Sequence, residues 1–253
     1  MRNTYSSNIS SSSLYHFTKD ATTIISILKN GFYPRTAIED ISVILPAYKE
    51  ARVGIPMVCF TDIPLSESAV HRAEYGNFGI GLKKEWGIAH GLNPVCYVVE
   101  GSEMYKAYNH LQAKVVGDYA RSDLTAELPE LMNAFMNYGG FLKVYTSDPS
   151  LQTKPFYDER EWRYLPPFID SSSKGRCNRL VLDDVDRADA RNALNQKMQS
   201  LYALKFSVDD ISQIVLPSDY SINDFENLLK KSNLPTDYRK YLEKAVNVDS
   251  SIA

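Results

Sequence analysis

Apolar and polar positions divide this chain into short strand-like and helix-like stretches. Ser13 to Thr18 alternates, with Leu14, His16 and Thr18 on one face and Tyr15 and Phe17 on the other, as a short strand does. Asp20 is placed to cap a following helix in which Ile24, Ile25, Ile27 and Leu28 form one apolar stripe, and Asn30-Gly31 stops it. Residues 34–54 hold Pro34, Pro46, Gly54 and several charges and read as a loop with short turns. Ile55 to Thr61 is a buried strand. Asp62-Ile63-Pro64 turns it into a helix opened by Ser66 and closed by Gly76. Phe78 to Lys83 alternates apolar residues with Gly79 and Gly81, the pattern of a strand lying against a tightly packed neighbour.

Asn93-Pro94 introduces a further strand, and residues 101–138 read as two helices broken near Ser122-Asp123 and Pro129. Gly139-Gly140 leads into a strand, Phe141 to Thr146, and Asp148 to Pro155 is a loop. Phe156 to Leu165 interleaves charges with aromatics; on a strand, Glu159 and Glu161 share one face and Arg160 takes the other. Leu180 to Leu182 is a short strand and Asp183 to Ser200 a charged helix. Leu201 to Pro217 reads as two short strands, and Ser221 to Val246 as two helices separated near Leu234-Pro235. Strands and helices do not alternate strictly, so the expected fold class is α+β rather than a doubly wound sheet. There is no internal repeat. Residues 1–12, polar and Ser-rich, are expected to be a flexible arm on a single domain spanning 13–253.

Composition narrows the function classes. The chain has 253 residues, 44% of them apolar and 23% charged, which is ample for a buried core. A net charge of −3 gives no bulk attraction to nucleic acid. Cys59, Cys96 and Cys177 are scattered, neither a disulfide framework nor a metal motif, which fits a reducing cytoplasmic compartment. No apolar run approaches membrane-helix length, so no membrane partner is expected. His16, His71, His90 and His110 are too dispersed for a metal site, and none is expected. The dinucleotide, P-loop, nucleophile-elbow and zinc-protease motifs are absent. Seventeen tyrosines supply flat, semi-polar surface suited to ligands, partners or half-buried strands alike.

Three places offer chemistry, each with an ordinary structural reading beside it. His16 lies within an apolar strand, where a satisfied core histidine is the plain alternative. Tyr75-Gly76-Asn77-Phe78-Gly79 sets an aromatic beside positions of close backbone approach, or is simply a helix end followed by a packed strand. Asp158 to Arg163 is a solvated charged hairpin or, with Phe156, Tyr157, Trp162 and Tyr164 around it, the wall of a pocket for a planar ligand.

Taken together, Leu14 to Thr18, Ile27 to Phe32, Cys59 to Leu65, Tyr75 to Leu82 and Glu159 to Arg163 resemble the bacterial AbiGi abortive phage-resistance family, over roughly residues 13–217. That family is described as the antitoxin side of a phage-defence system. The same order of pieces is similar to the ADP-ribosyltransferase superfamily, DarT-like enzymes in particular. This second resemblance implies an ADP-ribosyltransferase-like split β-sheet core with surrounding helices, and NAD as substrate without a metal. On it, His16 matches the strand histidine that bonds an NAD ribose, with Tyr15 and Thr18 beside it. Tyr75 is matched to the aromatic that packs on nicotinamide, with Phe60, Phe78 and Tyr15 as competitors. Glu161 is matched to the catalytic glutamate and Glu159 to the first member of an E-x-E pair. Arg35, Arg52 and Arg163 are open candidates for the family's arginine, and Arg35 or Lys154 for a diphosphate contact.

Two functions follow as expectations. One is an NAD-dependent ADP-ribosyltransferase serving as the toxin of an abortive-infection or toxin–antitoxin system. Its acceptor would be RNA, DNA or protein, and Lys83-Lys84 or Lys230-Lys231 with Arg239-Lys240 would supply local basic surface. An NAD glycohydrolase would share its site. The other is a non-enzymatic antitoxin that binds and neutralises a partner toxin. An enzyme requires His16 and Glu161 to converge on one pocket; a neutraliser does not.

Overall fold

The computed structural model describes residues 10–40, 52–121, 127–146, 150, 155–168 and 178–249. Lys154 and Cys177 lie outside the described residues. The chain folds as a mixed α+β unit around a nine-stranded, mostly antiparallel sheet, among the described residues.

The first strand, β1 (Ser13–Thr18), is central, and its alternation is as the pattern requires. Leu14 faces the main core, while Tyr15 and Phe17 join Val215 on the opposite face. Helix α1 (Ala21–Asn30) starts where the Asp20 carboxylate accepts the Thr23 N–H, at 2.8 Å. It buries Ile24, Ile27 and Leu28 and ends at Gly31, whose φ of 77° favours glycine. After it, β2 (Arg35–Asp40) occupies part of the span whose prolines and charges read as a loop. The pattern hid it because β2 is half-exposed, so its apolar signal is weak.

Strand β3 (Arg52–Thr61) is longer than the apolar run alone suggested. Its first half pairs with β2, and its last four residues pair with β8 (Glu161–Tyr164). Its ladder pairing with β1 is confined to Tyr15–Thr61. The sheet therefore forks: β1 leaves β3 near Thr61, while β2 lies along the other half. That fork makes the cleft described below.

A 3₁₀ turn, Leu65–Glu67, precedes α2 (Ala69–Tyr75), so the helix starts after Ser68 rather than at Ser66. Ser68 does not cap it through its side chain; its hydroxyl donates to the Leu65 carbonyl at 2.8 Å. Gly76 ends α2 at φ 123°. Strand β4 (Phe78–Lys83) pairs along the whole of β1. Its glycines have a steric reason: a Cβ at Gly79 would come within 2.7 Å of the Phe17 ring, and one at Gly81 within 2.6 Å of the Tyr15 ring. The short α3 (Lys84–Ala89), unmarked in the pattern, buries Trp86.

Beyond β5 (Asn93–Pro94) comes a separate two-stranded parallel ribbon, β6 (Cys96–Val98) with β7 (Leu142–Val144). Between its strands run α4 (Glu103–Arg121) and α5 (Glu127–Gly139), paired as a hairpin. Pro129 falls in the first turn of α5 rather than at the break, where its missing N–H has no helical partner to lose.

The remaining elements complete the sheet and its cover. β9 (Leu180–Val181) joins β3, and α6 (Ala188–Leu201) packs near β2 and β3. The span 201–217 holds one strand, β10 (Ile211–Pro217); Leu204 makes only an isolated bridge to Phe32. Helices α7 (Ile222–Lys231) and α8 (Tyr238–Leu242) follow, but residues read as the end of the second helix form β11 (Ala245–Val248), parallel to β10. The strand order is β11-β10-β4-β1-β3-β8-β5. Leu14, Ile24, Ile80, Phe225 and Leu229 belong to the core packed between the sheet and α1 and α7. Ser10 to Ser12, expected within a loose arm, are tied down: Asp62 accepts the Ser11 N–H at 2.9 Å and the Lys84 N–H donates to the Ser12 carbonyl at 3.1 Å.

Candidate functional site

The fork between β1 and β2 opens a cavity of about 300 Å³ whose lining includes His16, Tyr75, Glu159 and Glu161, with Tyr15 and Phe60. Residues separated by more than a hundred positions are thus brought to one place. A neighbouring cavity of about 370 Å³ shares His16, Ala37, Met57 and Cys59 with the first, and Arg35 lines it. Thr18 lines neither; it sits at the far end of β1, its carbonyl against Gly76.

His16 is held rigidly. Its Nδ1 lies 2.8 Å from the Cys59 carbonyl oxygen, so Nδ1 donates and Nε2 is left as the acceptor. Burial pushes its pKa below the ordinary histidine value, so it is neutral at pH 7. Phe32 and Phe60 pack against the ring at 5.1 and 5.7 Å between centroids.

Tyr75 closes the opposite wall from the last turn of α2. Its hydroxyl donates to Glu159 Oε1 at 3.2 Å, and its ring lies 4.4 Å from that of His71, one turn earlier. Burial, then the Glu159 charge, push the phenol pKa well up, so it remains a donor. Of the competing aromatics, Phe60 and Tyr15 line the cavity, whereas Phe78 packs on Tyr220 at 5.0 Å.

The glutamates do not share a strand face as the alternation predicted. Glu159 ends a 3₁₀ turn, Phe156–Glu159, and Glu161 begins β8; Arg160 between them takes a left-handed conformation at φ 45°. The turn is fastened on both sides of that residue. Thr61 Oγ1 donates to the Glu159 carbonyl at 2.6 Å, and the Asp62 N–H donates to the Arg160 carbonyl at 3.1 Å. The kink brings both carboxylates to one ammonium. Lys143 Nζ, from β7, lies 2.7 Å from Glu159 Oε2 and 3.1 Å from Glu161 Oε2.

Glu161 is also gripped by Arg163 two residues along, with Nε 2.7 Å from Oε1 and Nη2 3.1 Å from Oε2. Arg163 is 1% exposed and reaches on to Glu39 of β2 at 3.3 Å and to the Gly140 carbonyl at 2.9 Å. Burial alone would raise the Glu161 pKa, but Arg163 and Lys143 outweigh it and hold the carboxyl down at about 2. Burial and the Glu161 charge push the adjacent Cys59 thiol well up, leaving it protonated. Arg163 thus serves Glu161 itself, while Arg52 pairs with Asp186 at the surface, 2.6 Å away. Lys143, Glu39, Cys59 and His71 were not singled out from sequence; each belongs to an element distant in the chain, so no local spacing joins them to the glutamates.

Chemically, the cavity combines aromatic walls, a neutral imidazole and an ionised, fully hydrogen-bonded glutamate on its floor. Such a floor can stabilise developing positive charge. The desolvated ion network costs folding energy that apolar packing would not, a frequent mark of a functional site. Among the described residues, no cluster of histidine, cysteine, aspartate and glutamate could hold a metal ion, and no helix is long and apolar enough to cross a membrane.

Comparison with known proteins gives a consistent family. Residues 30–217 match the family described as "Putative abortive phage resistance protein AbiGi, antitoxin". The chain is 29% identical over 194 residues to an abortive phage resistance protein AbiGi of Lactococcus lactis subsp. cremoris, covering 70% of this chain and 77% of that protein. No solved structure matches the chain.

Proposed function

Because this chain belongs to the AbiGi family of abortive phage-resistance proteins, we propose that it acts in anti-phage defence as the antitoxin-side member of a two-protein pair, neutralising a cognate toxin by direct binding. The family's description as an antitoxin carries this reading. The molecule also has surface of the right kind: Val99, Leu111, Leu131 and Tyr138, at the foot of and along the α4–α5 hairpin, and Tyr157 nearer the cleft are large apolar side chains exposed to solvent. The test is co-expression with the product of the adjacent coding sequence in a bacterial host. Growth arrest by that product, relieved by this chain and accompanied by a co-purifying complex, supports neutralisation. Growth arrest caused by this chain alone overturns it.

A second reading is favoured by one observation, the meeting of His16, Tyr75, Glu159 and Glu161 in a single cavity. On this reading the chain is an NAD-dependent ADP-ribosyltransferase. Nicotinamide would sit against Tyr75. The ionised Glu161 would hold a ribose hydroxyl and stabilise the oxocarbenium-like charge as the nicotinamide bond breaks. His16 Nε2 would accept from the second ribose, and the neighbouring cavity with Arg35 would house the remainder. Glu159, whose charge faces the same space, would steer the incoming nucleophile of a nucleic-acid or protein acceptor. Nicotinamide release from NAD, measured with and without bacterial RNA, DNA and protein extract, decides the matter. Release abolished in Glu161→Gln supports transfer, and no release from folded wild-type protein in any mixture removes the reading.

A further inference from the structure

We infer that Lys143 is a positioning residue that holds Glu159 and Glu161 together as a hydrogen-bond-accepting pair, so that the pair does not deliver a proton to a group bound in this cavity. The observation is geometric. One ammonium, 16% exposed, contacts both carboxylates at 2.7 and 3.1 Å and lies over the Phe156 ring, 4.6 Å from its centre. The carboxylate oxygens are met by donors throughout: Tyr75 and Lys143 on Glu159, Arg163 and Lys143 on Glu161. Two carboxylates this close, without a shared cation, would repel until one took up a proton, which is how paired carboxylates become general acids. Lys143 removes that drive. The pair therefore differs from the acid-plus-base arrangement of a two-carboxylate glycosidase.

The groups facing the pair come from many elements. Glu39 stands on β2, Cys59 on β3, His16 on β1, His71 and Tyr75 on α2, Tyr97 on β6 and Arg163 on β8. Among them Lys143 alone bridges the two glutamates. Among the described residues it is also the one cation of this network supplied from outside the main sheet. It sits on β7 directly after the α4–α5 hairpin, while Tyr97, on β6 directly before the hairpin, accepts the Glu161 N–H at 3.0 Å. The two feet of the hairpin thus grip the carboxylate strand, one fixing its backbone and the other its side-chain charge.

Neither reading of the function is needed for the test, because the readout is the carboxyl groups themselves. Protein labelled with ¹³C at glutamate Cδ is titrated from pH 8 to pH 3 as wild type, Lys143→Met and Lys143→Arg, each shown to be folded by its amide spectrum. In wild type the Glu161 signal stays that of a carboxylate at pH 5. In Lys143→Met the Glu161 carboxyl takes up its proton at a pH higher by about two units, within the about 1 to 3 expected for a neighbouring opposite charge. Lys143→Arg returns the pair to wild-type behaviour. A Lys143→Met titration superimposable on wild type overturns the inference. So does a wild-type Glu161 signal that protonates near neutral pH, a result that needs no folded variant.

Discussion

The sharpest prediction concerns Glu161, because its environment fixes both the size and the pH dependence of the effect. Its carboxyl is held at about 2 against an ordinary 4.5, with the side chain 8% exposed. At about 1.4 kcal/mol per tenfold, that depression corresponds to about 3 kcal/mol of folding stability. A carboxyl depressed on folding contributes fully above its unfolded pKa, and the contribution is lost as pH falls toward the folded value. The window is therefore pH 5 down to 2. Glu161→Gln removes the charge and leaves Arg163, 1% exposed, with the more distant Glu39 at 3.3 Å as its remaining anion. Breaking a buried pair from one side costs about 3–5 kcal/mol. The variant should be less stable than wild type by that amount at pH 7. The gap should narrow by about 2 kcal/mol at pH 3, because wild type alone loses the Glu161 contribution. Urea unfolding followed by the fluorescence of Trp86 and Trp162, at pH 7, 5, 4 and 3, measures both. A gap below about 1 kcal/mol at pH 7, or one that does not change with pH, would refute the buried network as described.

Other expectations are smaller or more local. Gly76→Ala places a Cβ 2.1 Å from the Thr18 carbonyl at φ 123°, and should lower stability by at least about 2 kcal/mol in the same urea assay. Arg160→Gly relieves a left-handed residue at φ 45° and should raise stability by about 1 kcal/mol, seen as a melting temperature higher by a few degrees. Asp20→Ala removes the α1 cap and should cost about 1 kcal/mol, with the loss of protection from hydrogen exchange concentrated in the first turn of α1. Cys59, half-buried in the cavity wall and with its thiol pKa pushed up, should be alkylated more slowly at pH 8 in folded protein than exposed Cys96, as peptide mass mapping would resolve; equal labelling would contradict the raised thiol pKa.

What could be read in the sequence, and what could not, follows from how far each signal extends along the chain. The β1–α1 unit was legible because every cue is local: alternation in Ser13–Thr18, a cap at Asp20, a stop at Gly31. Gly79 and Gly81 were legible as a close approach, and the rings of Phe17 and Tyr15 are what they approach. Strands β2 and β11 were missed for the opposite reason. They lie half-exposed at the margins of the sheet, and their pairing with β3 and β10 is decided by those partners rather than by their own apolar content. The site shows the same division. His16, Tyr75, Glu159 and Glu161 were named from short motifs and a family likeness. The geometry joining the two glutamates was misread because Arg160, at φ 45°, breaks the alternation without the glycine that usually announces such a turn. Lys143 was unreadable in principle from local pattern. In a run such as Phe141 to Thr146, a lysine between apolar neighbours has the spacing of a solvent-facing strand residue, and only the long detour through α4 and α5 turns it toward acidic partners 16 and 18 residues further on. Local pattern thus found the walls of the cavity. The cations that set the charge of its floor depend on tertiary contacts, which no local spacing records.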